Sequence, residues 1–389
     1  MPTRSMKIAV VSNAAESLLR FRGPLLEMLV ARGHRVFVLA PQYSDAERRA
    51  LQAMGVTPDT IKVERTGQNP FADLGTLRDL TRWFHRERPD VSLTYFIKPN
   101  IYGGLAAAIA GVPRRIAMVE GLGYLFTDNG RETAKKRLAR TVAVMLLRGA
   151  LRRAHRVLFL NPDDRAEFIA RRIVTPERAA LLGGIGVDLD AYAEAPVSTS
   201  PITFLMIGRM LREKGLIEYV GAARLVRERY PEVRCLLVGG LDANPGGLSE
   251  EAVRALMADG AVTWLGEQED VRSMIRMSSV YVLPSYREGV PRSTQEAMAM
   301  GRAVVTTDVP GCRETVVVGR NGFMVPPRDA RGLAEAMMRF CAEPALAARM
   351  GRQSRIMAEE RFDVIKVNER IYDILSARDE QGMPNQTEL

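Results

Sequence analysis

Residues 280–297 read VYVLPSYREGVPRSTQEA: an apolar run, a polar turn with one glycine, and a helix-forming segment. A strand that leads through such a turn into a helix is typical of open α/β sheets, which bind ligands at the carboxyl ends of their strands. Glu288 and Glu296 lie in this stretch. Because carboxylates accept hydrogen bonds from hydroxyl groups, the two residues are predicted to flank one hydroxyl-rich ligand.

A second motif precedes the first in the same half of the chain. The apolar run 202–207 predicts a buried strand, and it is followed by GRMLREKG at 208–215 and an amphipathic stretch at 216–229. Gly208 allows close backbone approach, and Arg209 and Lys214 stand near a helix start, where anions are favoured. An Arg-x4-Lys spacing alone is typical of a solvated helix start. Together the two motifs predict a diphosphate clamp beside two hydroxyl acceptors, which is a site for a nucleotide sugar.

The two motifs resemble those of the retaining glycosyltransferases of family 4, which have the GT-B fold of two facing Rossmann-like domains. Further segments resemble the bacterial subgroup that adds N-acetylgalactosamine to an undecaprenyl-diphosphate-linked amino sugar: 69–71, 98–100, 119–123, 238–245 and 283–286. The resemblance covers residues 6 to about 375. It implies a UDP-sugar donor, here a UDP-N-acetylhexosamine, a polyprenyl-diphosphate-linked acceptor, and no resident cofactor or metal.

The resemblance also implies roles for single residues. Arg209 and Lys214 neutralise the leaving diphosphate, Glu288 holds hydroxyls of the donor sugar, and Glu296 accepts from the ribose. The catalytic set is therefore Arg209, Lys214 and Glu288. The donor-binding set contains these three and adds five residues: Gly208, Gly289, Val290, Glu296 and Asn13. The chain shows no obvious nucleophile, which suits a front-face mechanism in which the departing phosphate deprotonates the acceptor hydroxyl.

Alternating strand and helix patterns in both halves predict two doubly wound α/β domains. We place an acceptor-binding domain at 1–195, a nucleotide-sugar-binding domain at 196–360 and a flexible polar tail at 378–389. The resemblance implies that the helix at 361–377 crosses back to the first domain. In the first domain a strand is expected at 60–64 and a helix at 100–110. Linker composition at 193–201 marks the boundary.

The acceptor site is expected on loops of the first domain. Its first strand-to-helix loop, 12–17, lacks the glycine pair that many relatives carry, so a donor contact through paired glycines is in doubt. Arg22 is predicted to reach an acceptor phosphate, or equally to pack on the first helix. Lys98 is assigned to the acceptor phosphate and Glu120 to a sugar hydroxyl or amide, although Lys98 and Glu120 could instead pair with each other. Asn100 is also assigned to the acceptor site.

The charge of the chain is unevenly distributed. Residues 1–195 hold 30 lysines and arginines against 20 acidic residues, whereas 196–389 hold 25 against 26. No nucleic-acid-binding motif accompanies the excess, so an anionic membrane surface is the expected partner. The densest segment, 131–156, has nine cations around an apolar stripe, as an interfacial helix needs. A core-packed helix with a solvated basic face is the alternative. We expect a peripheral protein on the cytoplasmic face of the cell membrane.

Other functions remain open at this point. A nucleotide-sugar 2-epimerase shares the fold but needs no lipid acceptor. A metal-dependent transferase needs an Asp-x-Asp motif, and Asp188-Leu189-Asp190 is the nearby candidate, although a turn or helix cap explains it better. A non-catalytic sensor is also possible. Three cysteines and three histidines form no metal or disulfide pattern.

Overall fold

Two parallel β-sheets organise the computed structural model, which describes residues 4–62, 70–121, 134–242, 244 and 246–377. Within these ranges the first sheet has seven strands in the order β3-β2-β1-β4-β5-β6-β7. They are β1 Lys7–Val11, β2 Arg35–Ala40, β3 Thr57–Thr60, β4 Val91–Tyr95, β5 Arg114–Val119, β6 Arg156–Phe159 and β7 Ala179–Leu181.

The second sheet has six described strands in the order β10-β9-β8-β11-β12-β13. They are β8 Thr203–Ile207, β9 Arg234–Val238, β10 Thr263–Trp264, β11 Val280–Leu283, β12 Ala303–Thr307 and β13 Gly322–Val325. The strand β11 is buried along its whole length, which explains its unbroken apolar sequence, because helices cover both faces of a parallel sheet.

Helices alternate with the strands in both halves. The first half contains α1 Ala15–Ala31, α2 Asp45–Ala53, α3 Pro70–Glu87, α4 Gly104–Ile109, α5 Ala134–Leu151 and α6 Pro162–Ala170. The second contains α7 Leu216–Arg229, α8 Glu250–Leu256, α9 Arg272–Met277, α10 Arg292–Ala299, α11 Ala330–Ala342, α12 Ala345–Arg361 and α13 Val364–Ser376. The alternation is that of two Rossmann-like domains, as predicted.

The last helix, α13, packs on the first domain. Asp363 caps its start by accepting a hydrogen bond from the Ile365 amide. Its apolar face, which includes Ile371, shares one buried cluster with the α1 face around Leu29. Arg114 Nε also donates to the Ile374 carbonyl at 2.8 Å. These contacts confirm the predicted helix that returns from the second half to the first domain.

Two elements differ from the sequence-based expectation. The third strand lies at Thr57–Thr60 rather than 60–64, because α2 already ends at Ala53 and Gly55, with a φ of 78°, turns the chain directly into the sheet. Pro58 obscured this strand in the sequence, but β3 is an edge strand, where a missing N–H is tolerated. The expected helix at 100–110 is a π-helical turn, Pro99–Gly103, followed by the shorter α4. Residues 63–69 and the predicted tail 378–389 lie outside the described ranges.

None of the described helices combines the length and the apolar character needed to cross a bilayer. In α5, Leu147 and Leu151 are buried against the first domain. Leu138, Val142 and Met145 of the same helix are exposed. The helix therefore presents an apolar stripe to the surface in addition to its packed face.

Candidate active site

The predicted motifs lie where the strand order of each sheet reverses. In the second domain this point is between β8 and β11, so the turn after β8 and the loop after β11 leave the sheet side by side. Gly215, with φ of 77°, lets the two segments touch, because a Cβ there would collide with the Pro284 carbonyl. Open α/β sheets bind ligands at this position.

Lys214 and Glu288 meet at this edge. Lys214 Nζ donates to Glu288 Oε1 at 2.5 Å, and Ser285 Oγ donates to the same oxygen at 2.6 Å. The side chains are 20% and 12% exposed, so both still reach solvent. The Lys214 stem passes beside Gly208, at the distance of an ordinary van der Waals contact from where a Cβ would stand. One cation and one carboxylate, 74 positions apart, are thus held as a pair at the cleft.

Arg209 has a partner that the motif did not suggest. Its guanidinium forms an ion pair with Asp242, which follows β9. Asp242 also accepts the Asn244 amide at 2.8 Å and is itself mostly covered, whereas Arg209 is half exposed. The loop after β9 therefore sets the direction of the arginine head group.

Glu296 lies on α10 and is 8% exposed. Arg292 Nε, one turn earlier, donates to its Oε1 at 3.0 Å. Burial raises the pKa of the Glu296 carboxyl, and the Arg292 guanidinium opposes that shift. The carboxylate is thus rigidly placed by a helix of the core, at the far end of the loop that carries Glu288.

The remaining predicted donor residues have different environments. Gly289 contacts the first domain directly, because its Cα lies against the Glu120 carbonyl. Val290 is 4% exposed and its side chain packs in the core, so the predicted donor contact is left to its backbone. Asn13 is half-buried in the loop after β1.

The acceptor assignments change in detail. Arg22 is 1% exposed and forms an ion pair with Glu120, and burial lowers the pKa of Arg22 to about 10. The buried guanidinium cannot reach a ligand phosphate as placed, so the packing alternative describes it better. It orients Glu120, which lines a small pocket with Phe96 and Gly121.

Lys98 and Asn100 also have partners of their own. Lys98 Nζ donates to Asp73 at 2.8 Å, so the expected alternative pair of Lys98 with Glu120 is wrong. Asn100 is 2% exposed, and its amide donates to the Met118 carbonyl at 2.8 Å. Its oxygen accepts from Thr94 at 2.7 Å. Asn100 therefore fixes the turn after β4 instead of offering its side chain to a ligand.

The Asp-x-Asp motif has a structural explanation. Asp188 Oδ1 accepts the amides of Asp190 and Ala191 at 3.0 and 2.9 Å, which is a turn that the side chain closes on its own backbone. In the described part of the chain, no group of three or more histidine, cysteine, aspartate or glutamate side chains is arranged to hold a metal ion.

Sequence reasoning missed residues that connect the domains. Asn161, two positions after the end of β6, donates from Nδ2 to the Gly289 carbonyl at 2.6 Å. Arg287 binds Asp164 and Glu167 of α6, and Arg313 binds Asp163 at 3.0 Å. The sequence did contain a signal for these residues. Asn-Pro-Asp-Asp at 161–164 is typical of a helix start, and it follows an apolar run, so it lies at the carboxyl end of a predicted strand.

Comparisons with known proteins agree with this geometry. The family model "Glycosyl transferase 4-like domain" matches residues 20–183, and "Glycosyl transferases group 1" matches residues 201–343. The chain is 31% identical to the N,N'-diacetylbacillosaminyl-diphospho-undecaprenol alpha-1,3-N-acetylgalactosaminyltransferase of Campylobacter jejuni, over 85% of this chain and 88% of that protein. It is 24% identical to the UDP-Gal:alpha-D-GlcNAc-diphosphoundecaprenol alpha-1,3-galactosyltransferase of Escherichia coli, over 78% of this chain and 79% of that protein.

A solved structure of similar fold is Anabaena HepE in complex with UDP and glucose, with a TM-score of 0.75 and 21% identity, covering 96% of this chain and 100% of that one. The fold is thus that of GT-B glycosyltransferases, and the sequence similarity extends through both domains. The chain therefore belongs to the family 4 retaining glycosyltransferases.

Proposed function

We propose that this enzyme transfers an N-acetylhexosamine from a UDP-sugar to a saccharide linked to undecaprenyl diphosphate, without a metal ion. The observation that carries the proposal is the Lys214–Glu288 pair at the strand-order reversal, opposite Glu120 of the first domain. A cation and a hydroxyl acceptor at one edge match the diphosphate and the sugar of such a donor. The relatives from Campylobacter jejuni and Escherichia coli act, by name, on diphosphoundecaprenol-linked sugars.

The charges suit a leaving diphosphate. When the bond between the anomeric carbon and the UDP oxygen breaks, negative charge grows on the β-phosphate, and Lys214 and Arg209 stabilise it. The acceptor hydroxyl oxygen bonds to the anomeric carbon on the same face, and its proton passes to the departing phosphate. Each cation is also held by a carboxylate, Lys214 by Glu288 and Arg209 by Asp242, which places both ammonium and guanidinium groups at the same edge of the sheet.

The test uses purified protein, a panel of UDP-sugars, and membrane lipid extract. We expect release of UDP with a lipid-linked product heavier by one N-acetylhexosamine, joined with retention of the donor's anomeric configuration. Mass analysis and NMR of the released glycan measure both. Conversion of a UDP-sugar without lipid would identify an epimerase instead, and UDP-sugar binding without turnover would identify a sensor.

We also propose that the first domain docks on the inner face of the cell membrane. The acceptor diphosphate of the proposed reaction lies in the headgroup layer, and α5 offers apolar side chains at helical spacing, Leu138, Val142 and Met145, which are 67%, 41% and 57% exposed. Arg137 is also exposed. Apolar side chains flanked by cations bind anionic lipid surfaces, each cation adding about 1 kcal/mol near the surface.

Liposome flotation tests this docking. Wild type should float with anionic but not neutral vesicles, and high salt should release it, because charge attraction is screened over about 10 Å at 0.1 M salt. Replacement of four cations by glutamine should weaken flotation: Lys135, Lys136, Arg137 and Arg140. A control with the same charge change replaces four exposed arginines of the second domain and should float normally: Arg234, Arg276, Arg331 and Arg352. Equal flotation of the two variants would exclude α5 as the contact.

A further inference from the structure

The loop that carries Glu288 is held from both domains. Within its own domain, the Glu288 amide donates to the Pro310 carbonyl at 3.1 Å and the Tyr286 amide to the Glu213 carbonyl at 2.9 Å. The residues on either side of Glu288 face the first domain: Arg287 through its side chain and Gly289 through its carbonyl. The loop is therefore held in its conformation by hydrogen bonds within the second domain, and it is also bonded to the first domain.

Arg287 is bound by two carboxylates of α6, of which that of Asp164 is buried and that of Glu167 is partly exposed. Arg287 Nη2 donates to Asp164 Oδ1 at 2.5 Å and to Glu167 Oε2 at 2.7 Å. The Asp164 side chain is 1% exposed and that of Arg287 16%. A charge-assisted contact in such a covered position is much less screened than a surface ion pair. These charged groups are shielded from water and paired with each other only while the two domains are in contact.

The grip on Gly289 uses the cap of α6. Asn161 Oδ1 accepts the Asp164 amide at 2.8 Å and so closes the helix start. The other end of the same amide, Nδ2, donates to the Gly289 carbonyl. Capping of the helix needs only a side-chain oxygen near its first amides. The hydrogen bond to the Gly289 carbonyl needs an N–H donor that reaches the other domain.

We propose that Asn161, Asp164 and Glu167 form an interdomain clasp that holds the acceptor domain in register with the donor loop during transfer. They are positioning residues, because they act through Arg287 and the Gly289 backbone. The proposal rests on the donor role of Glu288 given above. Since displacement of reacting groups by about 1 Å can cost about 100-fold in rate, loss of the clasp should lower turnover strongly. It should leave UDP affinity unchanged, because Lys214 and Glu296 stay in one domain.

The decisive variant is Asn161→Ser. Serine caps a helix as well as asparagine does, but its hydroxyl is too short to reach the Gly289 carbonyl. We expect kcat to fall about 10- to 100-fold, with Tm and UDP affinity by calorimetry near those of wild type. A purely structural capping role predicts normal kcat in this variant. Asn161→Ala removes the cap as well and should show the same kcat with a lower Tm.

Arg287 variants give a second arm. Arg287→Gln should lose kcat like Asn161→Ser, and Arg287→Lys, which keeps one charged contact, should fall between Arg287→Gln and wild type. The double variant of Asn161→Ser and Arg287→Gln should be little worse than either single one, because both break one clasp. Arg313→Gln is the matched control: it removes an interdomain ion pair to Asp163 that does not involve the donor loop, and kcat should stay within about threefold.

Small-angle scattering provides a readout that needs no turnover. Wild type with UDP should retain the compact arrangement of the structure, and Arg287→Gln should have a larger radius of gyration. The clasp is overturned if Asn161→Ser and Arg287→Gln keep wild-type kcat and dimensions, or if their UDP affinity falls in parallel with kcat, which would indicate a damaged loop. Absence of product from wild type would overturn the proposed function instead, and the scattering comparison would still decide the clasp.

Discussion

Replacement of Lys214 by alanine is the most direct test of the donor site. Its ammonium donates to Glu288 Oε1 at 2.5 Å and so lies at the cleft edge, where it is expected to stabilise the donor diphosphate. Two unit charges 4 Å apart interact by about 4 kcal/mol at the effective dielectric of a protein surface site. Loss of one electrostatic partner in a transition state typically costs about 100- to 1,000-fold in turnover. We therefore expect kcat of Lys214→Ala to fall by about that factor.

The exposed fraction of each cationic side chain ranks the expected loss of kcat among variants of this turn. Lys214 is 20% exposed and Arg209 is 50% exposed, so Arg209 acts through more water and Arg209→Ala should lose less turnover. Arg212 belongs to the same turn, is exposed, and has no assigned role, which makes Arg212→Ala the matched control. The expected order of kcat loss is Lys214→Ala, then Arg209→Ala, with Arg212→Ala near wild type.

The assay must separate chemistry from folding. Glu288 keeps its hydrogen bond from Ser285 when Lys214 is removed, and the pair reaches solvent, so the loss of stability should be about 1 kcal/mol or less. Circular dichroism melts should show a folded protein, while UDP release at saturating substrates gives kcat. A Lys214→Ala enzyme within threefold of wild-type kcat would refute the clamp.

Three further outcomes follow from the same site. Glu288→Gln should mainly lower turnover, whereas Glu296→Gln should mainly weaken UDP binding in calorimetry; equal UDP affinity of wild type and Glu296→Gln would contradict the ribose assignment. Burial raises the pKa of the Glu296 carboxyl above its ordinary 4.5, so the folded protein binds this proton more tightly than the unfolded chain does. The resulting contribution to the free energy of unfolding is fully present below pH 4.5 and is lost as the pH rises through the pKa of the folded state. Tm of wild type should therefore decline from pH 4.5 towards neutrality more steeply than Tm of Glu296→Gln. If Tm of the two proteins depends on pH in the same way, the raised pKa of Glu296 is contradicted. Activity should survive excess chelator; a loss that magnesium or manganese restores would bring back a metal-dependent mechanism.

Much of the site could be predicted from sequence because its signals are local. The order of apolar strand, glycine turn and helix fixes which residues leave the carboxyl end of each strand, so the Lys214 turn and the Glu288 loop were expected at one edge. Their contact at 2.5 Å agrees with that expectation. The same local logic predicted the two parallel sheets, whereas the helix that returns to the first domain was expected from the resemblance to the GT-B family.

Partners from distant segments could not be predicted in this way. Lys98 pairs with Asp73, Arg22 with Glu120, and Arg209 with Asp242, and no spacing in the chain distinguishes these choices from others. A side chain's partner depends on which strands the sheet places next to each other and on how deeply the chain is buried. Burial, for example, places the side chains of Asn100 and Val290 inside the scaffold, which their positions in the sequence did not indicate.

The sequence by itself determined the class of fold and the chemistry of the donor loop, because strand and helix periodicity and the types of residue in a turn are properties of short segments. Only the tertiary structure decided how the two domains meet. Arg287 and Asp164 are 123 positions apart, and their contact exists because two separately folded sheets present their carboxyl edges to each other. Which charged residues pair at such an interface depends on their proximity in three dimensions and on their shared burial. No local pattern of the chain encodes either property.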